Sequence, residues 1–222
     1  MALSSAVCFL ALNLYSQSYI VLFGGEKIEA KEVTYHPAVL KKSYFTVDGQ
    51  RYKGKDIAFY STYDELNANI RMYTFLKRSI FLPVMETGSV NLFERNIHDS
   101  NPLSLNPVLF GEKTKLYYNK LEKPLMKANF DNLKKDIGEN EESMRYLRQY
   151  LTSNILEYSL YAIAGAAAVY GVIALAGMSF GGESTYILPA FGVYFLGSAI
   201  AININRRVQP KKIKLAINTY NK

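Results

Sequence analysis

Two stretches without a single charged residue lie near the C-terminus, one between Glu157 and Glu183, the other between Glu183 and Arg206. Each is long enough to supply the roughly 20 apolar residues that cross a hydrocarbon core. Each is apolar or small on every side, so a helix built from it has no polar stripe to turn toward water. The turn residues Gly181-Gly182-Glu183-Ser184 separate them. Residues 155–205 are therefore expected to form a two-helix transmembrane hairpin. Tyr158 and Tyr161 at one end, with Tyr186 at the other, suit the aromatic belts of the two membrane interfaces.

Glycines recur through both runs. Gly165, Gly171 and Gly177 stand in the first among several alanines, and Gly192 and Gly197 in the second. Small residues let helix backbones approach closely, and in lipid that packing drives association. These five are the expected helix-packing positions, serving either the two helices of one hairpin or homo-oligomerisation through an outward small face.

The mean hydropathy of −0.04 hides this division of the chain, and the net charge of +7 is just as uneven. Arg206, Arg207, Lys211, Lys212, Lys214 and Lys222 all fall after the second run, with no acid among them. A nucleic-acid-binding domain carries its charge over a folded face. A basic cluster directly after an apolar helix suits anionic lipid headgroups instead. Residues 206–222 are accordingly read as a basic tail, with Arg206, Arg207, Lys211, Lys212 and Lys214 as lipid-headgroup contacts. The lipid bilayer is the expected partner, and nucleic acid is not.

The N-terminus reads MALSSAVCFLALNLYSQS. Its apolar core over residues 6–14 has the length of a signal-peptide h-region and is too short to span a bilayer. Ser16 and Ser18 occupy the −3 and −1 positions of a cut before Tyr19, although no Lys or Arg precedes Glu26. Residues 1–18 are read as a signal peptide. The lone Cys8 excludes an internal disulfide and any CxxC site, and Val7 before it argues against a lipoprotein acceptor.

Residues 19–119 look β-rich. Residues 27–36 alternate imperfectly, with a change of inward face between Ala30 and Val33 that a bulge would explain. The stretch SYFTVDGQRYK is a hairpin with Asp48-Gly49 at a type I′ turn. Further strands are expected over residues 56–60, 68–76, 79–85, 90–94 and 115–118. Their close spacing leaves no room for crossover helices, which predicts an antiparallel sheet or small barrel. Residues 98–109 carry Pro102 and Pro107 and read as a loop.

Residues 120–154 form a helical connector. Phe130, Leu133 and Ile137 share one helix face, and Gly138 closes that helix. Asn140 is an N-cap candidate with Glu141 and Glu142 in the first turn. Nothing interrupts the chain from there to Gly165, so this helix is expected to continue into the apolar run as one rod.

Chemistry-bearing motifs are missing from this pattern. HExxH, P-loop, GxGxxG and EF-hand spacings do not occur. His36 adjoins Pro37, and the letters His98-Asp99-Ser100 are no triad, because triad members meet in space from separated positions. Glu139, Glu141 and Glu142 are read as compensating a helix dipole, and Asn203 and Asn205 as interfacial caps. No catalytic, cofactor-binding or metal residue is expected.

The segments GGEKIEAKEVTYH, SYFTVDGQRYKGKDIAFYS and NFDNLKKDIGENEESMRYLRQY, followed by a membrane hairpin and the ending KLAINTYNK, together resemble envelope proteins of Bacteroidetes-type bacteria. The resemblance implies export and an envelope location, and it carries no activity and no functional residue. The whole reads as an α+β chain: an antiparallel β-rich domain, a helical connector and a two-helix transmembrane hairpin. The expected role is a non-enzymatic cell-envelope protein whose periplasmic β domain binds a partner protein or envelope ligand. The alternative is a membrane-active or pore-forming oligomer built on the glycine-bearing hairpin.

Overall fold

The structure is a computed structural model that describes residues 18–37, 42–63, 65–71, 79–97, 113–121, 123–178 and 187–222. The signal peptide, Cys8, the expected loop over residues 98–109 and the glycine-rich turn between the apolar runs lie outside the described residues, apart from Ser18. The chain divides into two compact units, Met1–Phe81 and Leu82–Lys222.

The first unit holds β1 (Ser18–Leu22), β2 (Lys27–Ala30), β3 (Val33–His36), β4 (Tyr44–Val47), β5 (Gln50–Lys53), β6 (Ile57–Thr62) and β7 (Glu65–Asn69). Strands β2, β1, β6 and β7 follow one another across an antiparallel sheet, and β3, β4 and β5 form a second. The irregularity between Ala30 and Val33 is no bulge within one strand. The chain leaves the first sheet after Ala30 and enters the second at Val33. Asp48 holds that crossing. Its carboxylate accepts hydrogen bonds from the Lys31 and Glu32 amides at 3.1 and 3.0 Å, while its own N–H donates to the Glu32 carbonyl at 3.1 Å. Asp48 and Gly49 have φ of 45° and 82°, the left-handed pair that a type I′ turn requires.

The pleat decides what this unit buries. Phe45 and Val47 of β4 point inward with Val33, Ile20 and Ile57 from neighbouring strands. Tyr35, Phe45, Tyr60 and Phe81 form an aromatic knot with ring centroids between 4.8 and 6.0 Å apart and mostly edge-to-face. Buried Asn69 donates to the carbonyls of Gly54 and Ile57 at 3.0 and 2.8 Å and accepts from the Arg71 amide at 2.9 Å, so no polar group on it is left unpaired.

In the second unit β8 (Phe81–Glu86), β9 (Val90–Ile97), β10 (Lys113–Lys120) and β11 (Met126–Lys127) run antiparallel in that order. Helix α1 (Phe130–Ile137) follows, its N-terminus capped by the Asn129 side chain, which accepts from the Asn132 amide at 2.9 Å. Asn140 likewise caps α2 (Glu141–Met178) by accepting from the Ser143 amide at 2.9 Å. As expected, α2 is one unbroken rod from the charged segment into the apolar run.

The second apolar run gives α3 (Ile187–Asn203), which passes through a π-helical turn (Ile204–Val208) into α4 (Gln209–Tyr220). Pro210 accounts for the turn: it has no N–H to return to a preceding carbonyl, and the ladder shifts just before it so that the Gln209 N–H reaches the Ile204 carbonyl. The helical run packs antiparallel along α2. Ser143 donates to the Ala216 carbonyl at 2.9 Å near one end, and Gly171 faces Ala190 and Phe191 near the other.

The segment read as a basic tail is therefore helical from Ile204 to Tyr220. Ile213, Ala216 and Ile217 of α4 are buried with Val90 and Leu92 of β9, Leu116 and Tyr118 of β10, Leu133 and Ile137 of α1 and Leu147 of α2. The end of α4 is tied down by polar contacts as well. Asn221 accepts from the Val90 amide at 3.0 Å and donates to the Val90 carbonyl at 2.8 Å, and Tyr220 donates to Glu139 at 2.8 Å.

Candidate functional site

Two helical stretches are long and apolar enough to cross a membrane: Glu141–Gly177, with a window of mean hydropathy 1.9, and Ile187–Tyr220, with one of 1.8. A core helix of a water-soluble domain meets the same test, but it is mostly buried. Here only 11% and 22% of the apolar windows are covered by protein. Ile163, Val172, Ile173, Leu188, Phe195 and Leu196 all stand exposed, up to 85% for Leu188. So large a contiguous apolar surface marks a membrane or a partner, not water.

The five glycines divide. A Cβ on Gly197 would lie 3.4 Å from that of Ala164 and 3.6 Å from the Leu160 carbonyl oxygen, and one on Gly171 would meet the Phe191 ring at 3.5 Å. These two face the α2–α3 contact at ordinary van der Waals distance. Gly165, Gly177 and Gly192 have no neighbour among the described residues within 4 Å of where a Cβ would stand.

Where the apolar surface ends, Glu157 is buried between the helices at 6% exposure. One carboxylate oxygen accepts from the Asn205 side-chain amide at 2.7 Å and the other from that of Gln209 at 2.6 Å. A carboxylate withdrawn from water is costly unless such donors replace its hydration. The π-helical turn holds Asn205, and Gln209 follows it one helical turn on, so both reach the same acid. Asn205 is thus a helix-to-helix donor and not the interfacial cap expected for it. This triad was missed because its members are some fifty positions apart and only the antiparallel pairing brings them together.

Beyond the triad the helices are ringed with cations. Arg206 and Arg207 sit in the π-helical turn, and Lys211, Lys212 and Lys214 in α4. Lys214 turns onto the sheet, donating to Glu94 of β9 at 2.7 Å with both side chains about a quarter exposed. Lys212 donates to Gln149 of α2. Arg145 and Arg148 of α2 border the same surface as Lys212, in a groove of about 780 Å³ that also meets Met144 and Thr152.

A second polar centre lies at the end of α1. Asp136 accepts from the Tyr118 hydroxyl at 2.7 Å and the Lys123 ammonium at 2.9 Å, and Lys120 donates to its backbone carbonyl. Burial alone would raise this carboxyl, but the hydrogen bonds from Lys123 and Tyr118 and the nearby charges of both lysines outweigh it and hold it below its ordinary value. All its contacts are internal to the fold, which marks it as structural. Among the described residues no three His, Cys, Asp or Glu side chains gather as metal ligands, and His36 is engaged by Thr46 at 3.1 Å and stacked on Tyr44.

Comparison with known proteins finds no match, whether to a protein-family model, a curated protein or a solved structure.

Proposed function

We propose that the chain is a non-enzymatic, membrane-anchored protein of the cell envelope. The paired helices hold the β-rich part at the bilayer surface, where it binds a partner protein or an envelope ligand. The observation that carries the anchor is the exposure of the apolar helix surface. Side chains such as Leu188 and Leu196 are 85% and 68% exposed, and a hydrocarbon phase is the medium that suits them. Extraction of membranes at alkaline pH tests this: the full chain is expected to stay in the pellet, and release into the supernatant would overturn the anchor. Co-purification in mild detergent tests the binding role, with a stoichiometric companion expected and a lone monomer counting against it.

Orientation follows from the order of synthesis. We read the apolar stretch over residues 6–14 as leading the β-rich part across before the helices emerge, which supports a periplasmic location for that part. The cations flanking the helices pull the other way under the positive-inside rule. A reporter active only in the periplasm, fused after Lys222, is expected to be active; a silent one reverses the orientation.

A second reading draws on Gly165, Gly177 and Gly192, which have no neighbour among the described residues within 4 Å of where a Cβ would stand, as small residues at a helix–helix contact between copies would. On this reading the chain is a membrane-active oligomer, and the full chain in liposomes would conduct ions.

A further inference from the structure

The groove beside α2 lies directly below the exposed apolar surface. On the α2 side that surface begins at Ile155 and Leu156, 60% and 50% exposed. Thr152 is one helical turn short of Leu156, about 6 Å along the axis, and Arg148 one turn further. The headgroup layer of a bilayer leaflet is on the order of 5–8 Å deep. Thr152 therefore falls within it; Lys212 leans toward it, because helical side chains tilt to the helix N-terminus and that end of α4 adjoins the apolar α3, and Arg148 lies one turn below it.

The charge of the groove is set by three cations. Arg145 and Lys212 flank the same ring, with the guanidinium 5.3 Å and the ammonium 6.0 Å from the Tyr146 centroid, so α2 and α4 present their cations to one space. Arg145 is partly compensated by Glu142 at 3.2 Å, both side chains well exposed. Glu141 also borders the groove at its far end. Arg148 forms no ion pair among the described residues. An open basic groove opposite Glu142, ending at the headgroup level, is complementary to a phosphodiester presented from above.

We infer that Arg145, Arg148 and Lys212 form a binding groove for the headgroup of an anionic phospholipid. Arg148 supplies a planar fork suited to phosphate oxygens, Lys212 a point charge steadied by Gln149, and Thr152 an accepting hydroxyl oxygen at the glycerol level, its proton donated to the Arg148 carbonyl at 3.0 Å. The inference rests on the helices being membrane-spanning, and alkaline extraction reads that separately from lipid choice.

The test uses the full chain in mild detergent, titrated with phosphatidylglycerol or phosphatidylcholine and read by native mass spectrometry. Preferential retention of phosphatidylglycerol is expected. Each basic group near an anionic lipid contributes about fivefold. The combined variant Arg145→Gln, Arg148→Gln, Lys212→Gln should therefore lose about a hundredfold in apparent affinity while its thermal melting stays that of the wild type. If that variant melts early, Arg148→Gln alone is read instead and should lose about fivefold. Equal retention of the two lipids, unchanged selectivity in the variant, or complete displacement of the lipid by millimolar inorganic phosphate would each overturn the assignment. A chain that resists alkaline extraction yet shows no lipid preference refutes the groove and leaves the anchor standing.

Discussion

The two ends of one helical pair are built inside out relative to each other. Near α1 and the sheet, α2 and α4 bury their large apolar side chains, Leu147, Ile213 and Ile217, and turn Arg145, Arg148 and Lys211 outward. Past Glu157 the arrangement inverts: Ala164, Gly171, Ala190, Gly197 and Ala201 face inward, and the large side chains stand outside. The same helices thus carry two burial patterns, each matching a different rule of association. In water, association is driven by hiding apolar area. In hydrocarbon that drive is absent, and close backbone approach takes its place. Glu157, with Asn205 and Gln209, sits where one rule gives way to the other.

The largest effects should come from the water-facing half. Ile217→Ala removes a fully buried side chain from the cluster that joins β9, β10, α1, α2 and α4, and is expected to cost about 3–4 kcal/mol. Leu196→Ala in the other half should stay within about 0.5 kcal/mol, because the side chain is 68% exposed and has little protein contact to lose. Unfolding of the full chain in mild detergent measures both, and equal losses would break the comparison.

Val172→Arg probes the medium directly. On a water-exposed helix face the change is nearly silent; within a bilayer it should cost about 3 kcal/mol of insertion free energy. A glycosylation-site insertion assay reads the difference, and undiminished insertion would mean that this face does not meet lipid. Next in size is the glycine pair. Gly197→Leu drives a side chain into Ala164 and the Leu160 carbonyl and should cost about 2 kcal/mol, while Gly165→Leu, facing open space, should leave hairpin packing unchanged. If Gly165→Leu instead dissolves a cross-linked dimer, the outward face is an interface between copies.

The apolar half was the more legible in sequence, because absence of charge over 20 residues needs no partner to interpret. The β pairing at Asp48-Gly49 was legible for a similar reason, since its turn chemistry is local. What lay hidden depends on distant partners. The apolar face of α4 is plain in retrospect: Ile213, Ala216, Ile217 and Tyr220 recur at i, i+3, i+4 and i+7. Six cations in seventeen residues dominate that composition and point to lipid, while nothing local reveals that a sheet waits to receive the apolar face. Likewise the alternation fault between Ala30 and Val33 announces a break, but which sheet the chain enters next is settled by Asp48, sixteen residues on.

Two carboxyls in the water-facing half give opposite pH responses. Asp136 is held below its ordinary value of 3.8, so its contribution is full above that pH and is lost as pH falls through the lower, folded value. Asp136→Asn should cost about 1.5 kcal/mol at neutral pH, and the penalty should shrink on acidification as the wild-type carboxyl takes up its proton. Pooling of both proteins at one stability in strong acid is the expected signature.

Glu86 carries the opposite sign and the smallest effect. Burial pushes its carboxyl above the ordinary value of 4.5, and the field of Lys214 only partly opposes this because that ammonium is taken up by Glu94. One oxygen accepts from Asn218 at 3.1 Å, while Oε2 is buried with no hydrogen-bond partner among the described residues. An acid whose folded value is raised stabilises the fold while protonated, and that contribution fades as pH rises through the folded value. Glu86→Gln keeps a carbonyl for Asn218 and cannot ionise, so it should lift the melting temperature at pH 7 by about 1 °C and give no benefit near pH 4. A variant that melts lower than wild type at pH 7 would show that Glu86 acts through the Lys214 charge, and that α4 is held on the sheet by electrostatics more than by its apolar face.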